Sequence, residues 1–238
     1  MTKDQLDEEI EKVKEFGLGI EQVALALQKK LSGEESVNVI YQNFYCEDAF
    51  LNGEEENDLS VISSFCSTCF EIGDYSKIIC APYGTKYVKE NGEEVAHMRA
   101  LALIDQKFLI VYDSDPLTDQ QINKAELAEK FNIDEENIIK AISIGGLGFQ
   151  ENNWECGIYS YLKIIEIVKL FKEFNQDHQE ITDFIRENQV EDVDIGEKLD
   201  ELLVEILTNY DMQISPSSRF RPLDANGVSQ KSSDALEK

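Results

Sequence analysis

The sequence predicts an α+β fold in which a mixed central sheet is packed by helices, with further helices at both ends. Three observations predict it. Two apolar, β-rich runs, VAHMRALALID and KFLIVYD, flank a short polar turn at Asp105-Gln106-Lys107; NIIKAISI reads as another, mostly buried strand; and helix-period stripes precede and follow them. With 238 residues and 42% apolar content, the chain can bury a sizeable core.

Each element has its own signal. Thr2 can cap a helix carrying Leu6, Ile10 and Val13 on one face, and after Gly17-Leu18-Gly19 a second stripe runs from Ile20 to Leu31. Residues 1–40 therefore read as an N-terminal helical extension. From Ser36 to Phe50 the run VNVIYQNFY reads as strand or irregular segment, the acidic LNGEEEND leads into a helix near 59–70, and KIICAP reads as a strand. The stretch from Tyr83 to Val95 reads as a long, acidic loop, a place for variable substrate contact. Thr118 is positioned to cap a helix through DQQINKAELAEKF, and Gly145-Gly146 closes the strand after it. From Cys156 the apolar positions Ile158, Tyr161, Leu162, Ile165, Val168, Leu170 and Phe171 keep helical spacing to about Phe174. Two more helices, ITDFIREN and GEKLDELLVEILTNY, fill 176–212, and the polar 213–238 reads as a flexible tail.

The hairpin decides which side chains meet. If three residues make its turn, Ile104 pairs with Phe108, Arg99 stands opposite Asp113, and His97 lies diagonal to Asp113 on the same face. A two-residue turn would put His97 and Asp113 on opposite faces.

Charge bounds the partners. The formal net charge of -26, from 48 acidic and 22 basic residues, argues against a nucleic-acid backbone and favours a basic partner surface. No run approaches the roughly 20 apolar residues of a membrane span, and the acidic N-terminus is unlike a signal peptide. The expectation is a soluble, cytoplasmic protein. Five cysteines, at 46, 66, 69, 80 and 156, lack the spacing of a disulfide framework and read as thiols. The pair Cys66 and Cys69 sits in an apolar run without a second pair at zinc spacing, so it reads as core, as do Cys46 and Cys80. No metal and no cofactor is expected.

Cys156 taken alone reads as a small core residue. Its surroundings say otherwise. It stands where a polar loop becomes a helix, and amides at a helix N-terminus, with an imidazolium nearby, favour a thiolate. The chain has only two histidines, His97 at the start of a strand and His178 among polar residues between helices. A thiol nucleophile needs a base, a group to orient the base, and donors for an oxyanion; Gln150, six residues upstream, can offer its amide beside the backbone N–H of Cys156. Gly157 would let a substrate backbone approach closely.

The string QENNWECG, Gln150 to Gly157, resembles the Q-x-N-x-x-[DE]-C-G signature of the CE clan of cysteine proteases, the ubiquitin-like-protein proteases that include SUMO proteases and bacterial deubiquitinases. HMRALALIDQKFLIVYDS resembles the same clan's block in which a histidine opens one strand and Y-D-S ends the next, and KIICAP resembles the strand before it. The resemblance spans residues 41–175, the expected catalytic domain. It implies a papain-like, adenain-like core with His97 as general base, Asp113 as its orienter, Gln150 as oxyanion donor and Cys156 as nucleophile. Met98 stands where many members have the tryptophan that helps clamp a Gly-Gly tail; with Asn152, Trp154 and Gly157 it makes up the expected substrate contacts. The implied activity is an isopeptidase cutting after the C-terminal glycine of ubiquitin or a ubiquitin-like modifier, as in bacterial effector deubiquitinases, which would place it in host cytoplasm. Two alternatives stand beside it. An effector acetyltransferase of the clan would use acetyl-coenzyme A through the same cysteine, although the C-terminal region lacks the Lys and Arg cluster those relatives need for inositol phosphate. A modifier-binding module would keep the fold without catalysis.

Overall fold

The structure, a computed structural model, describes residues 1–34, 36–40, 77–88, 94–114, 123–141, 154–174, 178–187 and 198–214. The expected helix near 59–70, the C-terminal tail, and Cys46, Cys66 and Cys69 lie outside the described residues. So do Gln150 and Asn152.

The chain is α+β. Its elements run α1 (Lys3–Phe16), α2 (Ile20–Lys30), β1 (Val37–Val39), β2 (Ile78–Val88), β3 (Glu94–Ile104), β4 (Phe108–Tyr112), α3 (Lys124–Phe131), β5 (Ile138–Ala141), α4 (Cys156–Glu173), α5 (His178–Glu187) and α6 (Leu199–Ile214). Among the described residues, five strands form one mixed sheet in chain order: β1 runs parallel to β2, β2–β3–β4 are antiparallel, and β5 runs parallel to β4.

The β3–β4 turn has three residues, with Ile104 paired to Phe108. Lys107 N–H donates to the Ile104 carbonyl at 3.0 Å, and both Asp105 and Gln106 have positive φ, 47° and 60°. Two consecutive positive φ values are the demand of a type I′ turn, whose twist matches that of the flanking strands. One face of the register then carries Ala100, Ala102, Ile104, Ile110 and Tyr112 into a core with the helices α2, α4 and α6. The opposite face carries Leu101, Leu103, Leu109 and Val111 into a second core with Leu127 of α3. Period-two alternation with both faces covered explains why these strands read as nearly continuous apolar runs.

Two sequence expectations are corrected. The stretch from Tyr83 to Val95 is not a loop for most of its length, because β2 continues to Val88 and pairs there with Glu94 of β3. The polar residues hid it, since the backbone ladder continues there without an apolar alternation in the sequence. Thr118 lies outside the described residues, and among those described the helix expected after it begins only at Lys124, as α3, where Asn123 caps it by accepting from Ala125 N–H at 3.1 Å and Glu126 N–H at 3.4 Å.

At the N-terminus Thr2 and Gln5 form a reciprocal capping box on α1. Val23, Ala24, Ala26 and Leu27 of α2 are fully buried, and α2 packs against α4 and α6. Glu205 of α6 ties these helices together, accepting from Tyr161 of α4 at 2.9 Å and pairing with Lys30 at 2.7 Å. Among the described residues, no helix is long and apolar enough to cross a membrane.

Candidate active site

β3 and β4 supply a buried polar row. His97 and Arg99 are two residues apart on β3 and so share a face, and the hairpin register sets Asp113, just past β4, opposite Arg99. His97 Nε2 hydrogen-bonds Asp113 Oδ1 at 2.6 Å, and Arg99 Nε donates to Asp113 Oδ2 at 2.6 Å. His97 is 4% exposed and Asp113 0%. The carboxylate thus divides its two oxygens between an imidazole and a guanidinium, as a buried carboxylate must be compensated.

The thiol arrives from the helix layer. Cys156 is the first residue of α4, buried, and hydrogen-bonded to the His97 side chain. With Nε2 taken by Asp113, Nδ1 is the ring nitrogen available to the sulfur. Ser160, one turn along α4, donates to the Met98 carbonyl at 3.3 Å and pins the helix to β3. The imidazole is partly desolvated, which lowers its basicity, but the hydrogen bonds to Asp113 and Cys156 outweigh that and raise its pKa from 6.5 to about 9. His97 is therefore held as an imidazolium beside a thiol at a helix N-terminus. That arrangement sets an acid–base group against a nucleophile-type side chain.

The other expected site residues have different surroundings. Met98 is 4% exposed and packs in the helix-side core. Trp154 is half-buried against the same core. Gly157 is buried, and a Cβ there would meet Leu18 Cβ at 2.8 Å, so the space beside it is filled by the α1–α2 connection rather than left open to a substrate. Gly17, at φ +81°, passes close to the Trp154 backbone. Cys80 is buried within β2, as a core thiol.

Two neighbours went unread in the sequence. Tyr83 of β2 is 3% exposed and hydrogen-bonded to Arg99, and burial pushes its phenol up to about 12. The alternation Ile79, Ala81, Tyr83 would have placed it on the face of Arg99 had β2 been read further. Lys163 of α4 is fully buried, with Nζ 5.0 Å from the Tyr112 ring centroid, and burial lowers its pKa to about 7 against the pull of Glu166. It lies seven residues after Cys156, two helical turns along the same face.

No family model matches the chain, and no curated protein does. Among solved structures, that of ChlaDub1 from Chlamydia trachomatis aligns at 10% identity and a TM-score of 0.41, over 85% of this chain and 96% of that one. A likeness at that level carries no argument, and the site rests on its own residues.

Proposed function

We propose that the chain is a cysteine isopeptidase acting on ubiquitin or a ubiquitin-like modifier. The observation that carries the reading is the buried His97–Asp113 hydrogen bond of 2.6 Å, with His97 bonded in turn to the thiol at the start of α4. The Q-x-N-x-x-E-C-G string that contains this thiol adds the substrate class by resemblance.

In this reading the Cys156 thiolate attacks the carbonyl carbon of the modifier's terminal glycine, and the C–N bond to the lysine amine breaks as His97 gives that nitrogen its proton. The product is a thioester on Cys156 and a free amine. Water, deprotonated by His97, then attacks the thioester, releasing the glycine carboxylate and restoring the thiol. Asp113 keeps the imidazole oriented through both steps, and the Cys156 N–H with Gln150, a residue assigned from sequence alone, receives the oxyanion. The charge of -26 suits the basic surroundings of the ubiquitin tail through steering.

Covalent trapping tests this. Ubiquitin carrying a C-terminal thiol-reactive warhead, beside SUMO and NEDD8 probes, is expected to form an adduct with the wild-type chain and none with Cys156→Ala. Failure of every probe would remove the isopeptidase reading.

A further inference from the structure

Arg99 makes a contact that the cysteine mechanism does not require. An orienting carboxylate needs one oxygen for the imidazole; here the second oxygen is taken by a guanidinium, at 2.6 Å, in a buried row where Arg99 is itself hydrogen-bonded to the Tyr83 hydroxyl. Arg99 is 7% exposed, Tyr83 3% and Asp113 0%, so solvent screens little of their interaction. Among the described residues, the charged and titratable groups around the carboxylate include Tyr83 from β2, His97 and Arg99 from β3, and Tyr112 beside it on β4. Cys156 of α4 reaches it through His97, and Glu126 of α3 acts on Tyr83.

We propose that Arg99 is a positioning residue of this site: anchored by Tyr83, it occupies Oδ2 of Asp113, fixes the carboxylate with Oδ1 toward His97, and draws off part of its charge. The proposal rests on the reading of His97 and Cys156 as the reacting pair. Its physical content is a balance. A carboxylate serving His97 alone holds the imidazolium more tightly, and an imidazolium held too tightly is a poor proton donor to a leaving amine. Sharing the carboxylate with a permanent cation keeps the ring oriented while weakening that hold.

The test follows His97 directly. With His178 as the only other histidine, the imidazole resonances of the full chain can be assigned and titrated by NMR without any substrate. Arg99→Gln removes the cation and is expected to move the His97 titration upward by about one to two pH units, the scale of a unit charge roughly 6–12 Å away at an effective dielectric of about 20. Arg99→Lys keeps the charge and is expected to restore the wild-type midpoint. A His97 midpoint unmoved in Arg99→Gln, as for a residue that only packs, or one that falls toward 6.5, overturns the proposal. Should Arg99→Gln fail to fold, the wild-type chain still decides: the Arg99 Nε–H resonance must shift with the His97 midpoint because both share Asp113, and an Nε–H that stays still also overturns it. The ubiquitin probe on the same samples separates the two claims. No adduct in wild type removes the isopeptidase reading, while the His97 and Arg99 titrations judge the positioning role independently.

Discussion

Two buried side chains pull the pH dependence of stability in opposite directions. His97, at about 9 in the folded chain against an ordinary 6.5, contributes stability that is complete below about 6.5 and is lost as pH rises through about 9. Lys163, at about 7 against an ordinary 10.5, has the reverse sign: the unfolded chain binds its proton more tightly, so the burial is most unfavourable below about 7 and is relieved as pH climbs toward 10.5. Between 7 and 9 the two partly cancel. Lys163→Met, similar in volume and without charge, is expected to gain about 1–3 kcal/mol at pH 6, and less at pH 10. Thermal melts across that range measure it, and a gain that does not change with pH would contradict the assignment. The variant's melting temperature should also fall more steeply between pH 7 and 9, because the His97 loss is no longer offset. Nothing in the sequence marked Lys163 as buried. Its neighbours keep an apolar stripe, and a lysine among them reads as solvated until the sheet is known to cover its face.

At the scale of elements, the hairpin was legible in pattern and open in register. Alternation in VAHMRALALID and KFLIVYD identified both strands, but either turn length satisfied it, and only the Ile104–Phe108 pairing with positive φ at Asp105 and Gln106 brings His97 to Asp113. The thiol's place at the head of α4 was legible from the change of polar loop into helical stripe. What lies beside that head was not, since an apolar stripe on α2 says that it is covered without saying by what. The answer is a notch. Leu18 fills the space next to Gly157, and an added methyl would sit 2.8 Å from Leu18 Cβ, too close for two carbons. Gly157→Ala is therefore expected to lower stability by about 1–3 kcal/mol through overpacking, and to slow reaction at Cys156 by displacing the first turn of α4. In a Leu18→Gly background the same substitution should cost much less. A urea double-mutant cycle reads the coupling, and additive costs would show that the notch is not shared.

For the molecule as a whole, the first two helices and the sheet share one core. Val13, Leu18, Val23, Ala26 and Leu27 are buried in the same cluster as Tyr112, Cys156, Ile164, Ile206 and Leu207. Ion pairs reinforce the joint, with Lys14 2.9 Å from Asp200 and Lys30 2.7 Å from Glu205, although exposed pairs of this kind add little beside buried apolar area. Removing residues 1–31 would uncover the inner faces of α4 and α6 together and open the notch beside Gly157. A chain shortened in this way is expected to lose its single cooperative unfolding transition and to bind a hydrophobic dye at neutral pH, as a core stripped of one layer does. Cys156 in it should lose its reactivity toward the ubiquitin probe even though every proposed catalytic residue is retained. Calorimetry and dye fluorescence on the shortened chain make the comparison. A sharp transition with full probe reactivity would mean that α1 and α2 only decorate the sheet, and that the head of α4 is held by Ser160 and the hairpin alone.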